Sequence, residues 1–417
     1  MKFAVAVHGT RGDVEPCAAV ALELLRRGHQ VRLAVPPNLI PFVAGVGFSP
    51  VAPYGVDSQK QLDAAVFRNY WKVRNPVTAL RELREYMTEG WEQMSSTLAT
   101  LADDADLILT GTTYQEVAAN VAEYHRVPLA ALHYFPFRSN SYGIPLPLPA
   151  LLTTSLMTFF EWGYWRVIKD AEDAQRRELG LPAATTGSVG RIVGSGALEI
   201  QAYDEVFFPG LAAQWEHRRP LVGFITLQLG TAADADVAAW IAADRKPIYF
   251  GFGSMPVQAP AETVAMIADV CADLGERALV CAGAWNLDGV AVPDHVKIVD
   301  AVSHAAVFPE CRAVVHHGGA GTTAAGLRAG VPTSILWIGA DQPCWAAGVR
   351  RLGVGDSQRF ARMTHQSLRA TLRSVLTPGY SNRARDVATR LVAPDRSVST
   401  TADLLEEAVR RRGILAR

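Results

Sequence analysis

Apolar residues in this chain come in short unbroken runs, each followed by a stretch with helical spacing. "KFAVAV" (residues 2–7) is continuous, the pattern of a strand buried on both faces of a parallel sheet. "VEPCAAVALELLRRGH" (14–29) follows with one apolar face, and Gly28 stops it. "QVRLAVP" (30–36) and the weaker "FSPVAP" (48–53) read as strands around a short helix, "LIPFVAGVG" (39–47). "ADLILTG" (105–111) and "VPLAALHYFPF" (127–137) flank the helix "YQEVAANVAEYHR" (114–126). This βαβα order predicts a doubly wound α/β domain. The pattern then restarts. "KPIYFGFGS" (246–254) is a strand entering a glycine turn, and the helix "AETVAMIADVCADLG" (261–275) follows. "RALVCAG", "VKIVDAV", "CRAVVHHGG" and "VPTSILWIG" complete a second domain of the same class.

Length agrees with this count, because 417 residues suit two domains of roughly 200 each. The first is expected over 1–213 and the second over 224–396. The polar, proline-punctuated "QWEHRRPLVG" (214–223) links them. A closing helix, "STTADLLEEAVRRR", lies in 397–417, with Ser399, Thr400 or Thr401 as N-cap, and is expected to return to the first domain. Forty basic and 41 acidic residues leave a net charge of −1, without the clustered basic excess of a nucleic-acid binder. The five cysteines have no metal spacing and read as reduced, which points to the cytoplasm. The N-terminus lacks the features of a signal peptide. The greasiest stretch, Ile144 to Trp165, is broken by prolines and polar residues, so it reads as a surface or ligand-lining segment, not a membrane span.

Two glycine turns carry the candidate chemistry. "VVHHGGAGTTAAGLRAGVP" (314–332) runs from a buried strand through His316 and Gly318, Gly319, Ala320 and Gly321 into a helix opened by Thr322. Glycines admit an anion close to backbone N–H groups, and the helix N-terminus adds positive potential. The loop has no lysine of the Walker type, so it suits a diphosphate that is held and then leaves. About twenty residues on, Asp341 and Gln342 follow the next strand onto the same rim, where an acid and an amide can bind several hydroxyls of one sugar. The other turn, "VAVHGTRGDVEP" (5–16), looks like a dinucleotide fingerprint with a glycine missing and an acid in its place. A nicotinamide-dependent dehydrogenase is therefore a poor fit.

"HHGGAGTT" with "DQ" resembles the nucleotide-sugar signature of family 1 glycosyltransferases, and "GTRGDVEP" resembles the bacterial and sterol-type branch. The likeness covers essentially the whole chain. "HYFPFR" (133–138) and "ADQPCWA" look most similar to mycobacterial enzymes that build cell-wall glycopeptidolipids. The resemblance implies the GT-B fold, two facing Rossmann-like domains with a cleft between them. It implies that His316 and the Gly319–Thr322 amides hold the donor diphosphate, with Ser254 as a second contact. Asp341 and Gln342 would hold the donor sugar, Trp285 would border the base, and Val302 would meet it through its backbone. Relatives place glycine directly before "DQ", whereas here Trp337–Ala340 precede the pair.

Many relatives carry glycine–histidine in the first turn, with the histidine as general base; here the aligned pair is Gly12–Asp13. Asp13 is thus the expected base in an inverting, metal-independent transfer. His8 is the alternative base, and an N-capping Asp13 is the plain structural reading. His8, Thr10, Tyr70, Trp71, His133, Phe135, Arg138 and Trp162 are the candidate acceptor residues. They suit a large amphiphilic acceptor and leave room for peripheral contact at the inner face of the membrane. No prosthetic group or nucleic acid is expected. The co-substrate is a nucleoside-diphosphate sugar, TDP-linked by preference over UDP or GDP, carrying a 6-deoxyhexose. A nucleotide-sugar epimerase of similar architecture and a non-catalytic sugar-nucleotide-binding partner are the competing readings.

Overall fold

A computed structural model of the chain describes residues 1–62, 76–144, 149–227, 229–253, 257, 259–283, 285–287 and 289–415. Tyr70, Trp71 and Ser254, expected in the acceptor and donor sites, lie outside these residues. The apolar runs become two six-stranded parallel sheets. The first contains β1 (Lys2–Ala6), β2 (Gln30–Val35), β3 (Val51–Pro53), β4 (Leu107–Thr110), β5 (Leu129–His133) and β6 (Leu198–Gln201). Their order is β3-β2-β1-β4-β5-β6. The second contains β7 (Ile248–Gly251), β8 (Ala278–Cys281), β9 (Val296–Val299), β10 (Ala313–His316), β11 (Thr333–Trp337) and β12 (Ser357–Arg359). It reads β9-β8-β7-β10-β11-β12 across the sheet, so the two sheets share one topology.

Continuous apolar runs are required because helices cover both faces of each sheet. In the second sheet Phe250, Val280 and Val315 pack on Val264, Ile267 and Leu372, while Tyr249, Leu279 and Val314 pack on Val237 and Phe308 behind. Register ties the central strands: Phe3 pairs with Val31 on one side and Leu107 on the other. In each sheet the chain leaves neighbouring strands in opposite directions at one point, between β1 and β4 and between β7 and β10. Loops part there, and ligands of open α/β sheets sit in the crevice so formed.

Six helices carry or brace the candidate residues: α1 (Arg11–Arg26), α2 (Gln115–His125), α3 (Ala150–Glu178), α4 (Ala320–Arg328), α5 (Gln342–Leu352) and α6 (Pro394–Leu415). The greasy Ile144–Trp165 stretch supplies the first half of α3. No helix among the described residues is long and apolar enough to cross a membrane. α6 starts at Pro394, ahead of the expected Ser399–Thr401 caps. A proline suits a helix's first turn, since its missing N–H is one that the helix leaves unpaired anyway.

The chain divides into two units. One holds Met1–Tyr203, Gly210–Thr226 and Ala393–Arg417; the other holds Asp204–Pro209 and Leu227–Val392. The short Asp204–Pro209 excursion, expected from the sequence in the first domain, packs Phe207 and Phe208 on Trp345 of the second unit. Within the first unit α6 is tied to the end of α1. Arg27 reaches Asp403 at 2.6 Å and Glu406 at 3.0 Å, and His29 Nε2 lies 3.1 Å from Glu406.

Candidate active site

The turn after β10 is built around an unusual use of glycine. Gly318 has φ of +99°, and a Cβ there would lie 2.8 Å from Ile335 and 3.1 Å from Gln342. The His317 ring fills the space above the turn, 2.9 Å from a Cβ at Gly253 and 2.8 Å from one at Gly319. Gly319 is the N-cap of α4 and offers no capping side chain. The first-turn amides of α4 are therefore left for solvent or an anion. His316 is fully buried, and its Nδ1 accepts from the Gly318 N–H at 3.0 Å. Burial pushes its pKa well below the ordinary value, so the ring is neutral and carries its proton on Nε2. That Nε2 is buried without a hydrogen-bond partner among the described residues. A buried, unpaired donor beside an amide-lined turn suits a negatively charged oxygen.

On the neighbouring strand, Ile338–Ala340 curl back over Gln342. Its Oε1 accepts from the N–H groups of Ile338 at 2.7 Å and Gly339 at 3.3 Å, and Ala340 takes φ of +54°. This accommodates the residues that stand before "DQ" where relatives have a glycine. It commits the Gln342 carbonyl to its own loop and leaves the amide N–H₂ as the group for a ligand. Asp341 Oδ2 accepts from Trp345 Nε1 at 2.8 Å, one helical turn on. Burial raises the Asp341 pKa, and the indole bond partly opposes this. Trp345, fully buried against Phe207 and Phe208, went unnoticed in the sequence; an aspartate with a tryptophan four residues later was the available signal. Trp285 is buried with its ring stacked on Phe252 at 4.6 Å, and the Val302 side chain belongs to the core. His304 lies against Phe308 with ring centroids 4.4 Å apart.

The turn after β1 is a capping box. Thr10 is the N-cap of α1, not Asp13, and Asp13 stands at N3. Asp13 Oδ2 accepts from the Thr10 N–H at 2.8 Å and the Thr10 hydroxyl at 3.1 Å. Gly9, at φ of +139°, brings the backbone against this carboxylate: a Cβ would lie 2.4 Å from Oδ2. The acid that stands in place of a glycine thus fills the space the turn leaves. Tyr134, missed in the sequence, donates its hydroxyl to the Asp13 carbonyl at 2.8 Å. His8 is only 2% exposed, 3.2 Å from the Val56 carbonyl and edge-on to Tyr114. Burial lowers its pKa to about 4, so it is neutral near pH 7. Arg11 is exposed, paired with Glu15 and laid over Phe42.

The structure separates the remaining acceptor candidates. Arg138 is buried, bonded to Glu199 at 2.5 Å and Gln115 at 2.7 Å, with Arg219 on the other Glu199 oxygen at 2.7 Å. His133, also buried, meets Gln201 at 3.2 Å, and burial lowers its pKa to about 3. These two residues work inside the domain and present no surface to an acceptor. Both were expected to line the acceptor site from the "HYFPFR" strand end, but they serve a buried ion cluster. Phe135 is half-buried against Phe137. Trp162 is exposed on α3, stacked on Phe159 at 5.9 Å. Among the described residues no group of three His, Cys, Asp or Glu side chains lies close enough to hold a metal ion.

Residues 3–119 match the glycosyltransferase family 28 N-terminal domain, and residues 263–406 match the erythromycin biosynthesis protein CIII-like C-terminal domain. An uncharacterized glycosyltransferase of Mycobacterium tuberculosis is 59% identical over 412 residues, covering 99% of this chain and 100% of the relative. The chain belongs to the family 1 glycosyltransferases. A sterol 3-beta-glucosyltransferase of Arabidopsis thaliana is 30% identical over 412 residues, 93% of this glycosyltransferase and 65% of the plant protein. Among solved structures, the glycosyltransferase of kitacinnamycin superposes with a TM-score of 0.72 at 17% identity, over 98% of this chain and 99% of that one. VinC in complex with DTDP gives 0.68 at 19%, over 99% and 100%. The spinosyn rhamnosyltransferase SpnG with thymidine diphosphate gives 0.65 at 16%, over 96% and 100%. At these identities the likeness is one of fold, and the fold is GT-B.

Proposed function

We propose that this glycosyltransferase moves a 6-deoxyhexose from a TDP-linked donor to a hydroxyl of a large amphiphilic acceptor of the glycopeptidolipid kind, with inversion and without a metal. The observation that carries the reading is the Asp13 carboxylate, fixed by two Thr10 donors in the turn that leaves β1 at the switch point of its sheet. Asp13 accepts the proton of the acceptor hydroxyl. The hydroxyl oxygen forms its bond to the anomeric carbon as the bond from that carbon to the diphosphate breaks, and the electron pair leaves with the diphosphate. The α4 amides and the His316 Nε2–H stabilise the charge that departs. Asp341 and the Gln342 amide bind donor-sugar hydroxyls.

The donor class is supported by VinC and SpnG, which are bound to thymidine diphosphate, and the sugar class by the rhamnosyl transfer of SpnG. The acceptor class is supported by the sterol-acting plant relative and by the aromatic surface of α3, where Phe159 and Phe160 are each 61% exposed and Trp162 is 55% exposed. The same surface suits peripheral contact with the inner face of a membrane. The test is incubation with TDP-, UDP- and GDP-sugars and a glycopeptidolipid aglycone, with the product's anomeric configuration read by NMR. The β-configured product from an α-linked TDP-6-deoxyhexose, or the reverse, is expected. Retained configuration, or conversion of the donor sugar without any acceptor product, would overturn the reading.

A further inference from the structure

Asp341 stands at the N-cap of α5 but makes no capping bond. Pro343 occupies the second helical position, so one of the two amides that a cap would bond is missing. The carboxylate is held instead by Trp345, whose Nε1–H reaches Oδ2 at 2.8 Å. The plane of the indole fixes the direction of that N–H, and the indole is fixed by what packs on it. Trp345 is fully buried. Phe207 meets it edge-on, with ring centroids 5.2 Å apart and planes at 85°. Phe208 lies at 5.5 Å and 61°. Edge-to-face contact is a preferred geometry of aromatic pairs, so the two phenylalanines favour one orientation of the indole.

Both rings come from the Asp204–Pro209 excursion, whose sequence neighbours Tyr203 and Gly210 belong to the first unit. The excursion is pinned within the second unit at two points. At its start the buried Asp204 accepts from the Val392 N–H at 2.7 Å. Further on, Phe207 settles against α5 where Gly348 leaves room: a Cβ there would lie 2.7 Å from the ring. Phe207 and Phe208 are themselves fully buried. A group that must meet a ligand in one geometry needs its own supports locked by packing, and these rings lock the only side chain seen to hold Asp341 Oδ2 among the described residues. We propose that Phe207 and Phe208 position Asp341 for the donor sugar by holding the Trp345 indole. A segment remote in sequence from the donor-binding motifs then sets how firmly the sugar is held. The proposal rests on the reading of Asp341 as a donor-sugar ligand.

The test uses the full chain and Phe207→Leu, which keeps an apolar side chain in the seat and removes the ring edge. Phe208→Leu is the second variant, and a thermal melt shows that the fold is kept. Calorimetry measures TDP-rhamnose with TDP and UDP-glucose with UDP, and the pair that the wild type binds more tightly is used throughout. Phe207→Leu should weaken the nucleotide sugar about fivefold, an effect usual between residues in contact, and leave the free nucleotide unchanged. In a Trp345→Phe background the same substitution should no longer alter the ratio of the two affinities, because the bond it acts through is gone. A merely structural role would weaken both ligands together. That outcome, no change in either ligand, or an undiminished effect in the Trp345→Phe background would overturn the proposal. Asp341→Ala is measured in parallel. If it weakens the sugar selectively and neither leucine variant does, the positioning role falls and the donor-sugar reading stands. If Asp341→Ala leaves the sugar's affinity unchanged, or the wild type binds neither nucleotide sugar, the donor-sugar reading falls and this proposal falls with it.

Discussion

Two carboxylates of the candidate site are held by a donor one helical turn away in sequence. Thr10 fixes Asp13 through its N–H and hydroxyl, and Trp345 fixes Asp341 through its indole N–H. The environments differ. Asp13 sits half-buried in the first turn of α1, where the helix dipole favours the anion. Asp341 has its pKa raised by burial, and the indole bond opposes that rise. Trp345→Phe keeps most of the packing on Phe207 and Phe208 and removes that bond. A hydrogen bond to a charged group contributes about 1.5–3 kcal/mol, so affinity for the sugar-bearing donor should fall about tenfold or more. Affinity for the free nucleoside diphosphate, which does not reach Asp341 in this reading, should not change. Calorimetric titration of the two ligands separates these outcomes, and an equal loss for both would mean that Trp345 only supports the fold.

At the scale of elements, the join between α1 and α6 contains an ion cluster that gives a pH dependence with a definite sign. The hydrogen bond from His29, then those from Arg27 and Arg410, hold the Glu406 pKa at about 2 against an ordinary 4.5. Arg26 and Arg27 hold Glu23 at about 2 likewise. A depressed carboxyl stabilises the fold above its unfolded pKa, and that stability is lost as pH falls from about 4.5 towards 2. The melting temperature should drop through this window. Glu406→Gln should melt lower than wild type at pH 7 and fall less steeply in acid. Strands buried on both faces were legible in the sequence because their apolar runs are unbroken. The edge strands β6 and β12 were not, since "LEIQ" and "SQR" mix polar residues into short runs at the margins of their sheets. The start of α6 was hidden because Ser399, Thr400 and Thr401 look like caps, although Thr401 bonds back to the Ser397 carbonyl inside the helix. In the candidate site, the glycine turn announced itself by spacing. His133 and Arg138 misled because a buried ion cluster and a ligand site use the same residue types, and the Glu199 and Arg219 that complete the cluster lie far along the chain.

At the scale of the whole molecule, one topology is used twice, and the proposed transfer gives each copy its own part. Each sheet has its switch point beside its first strand, and each switch point carries a glycine turn leading into a helix. In the second sheet the turn keeps its small residues, and the open amides of α4 suit a diphosphate. In the first, the acid takes the room that Gly9 leaves, and a carboxylate stands where the helix would otherwise attract an anion. Proton abstraction falls to that acid in the proposed transfer. The most direct test is Asp13→Asn in the intact protein, with steady-state transfer measured alongside calorimetric binding of TDP. Loss of a general base should lower kcat by about 10²–10⁴-fold, with TDP affinity unchanged. Wild-type turnover in the variant would contradict the assignment of Asp13 as the base.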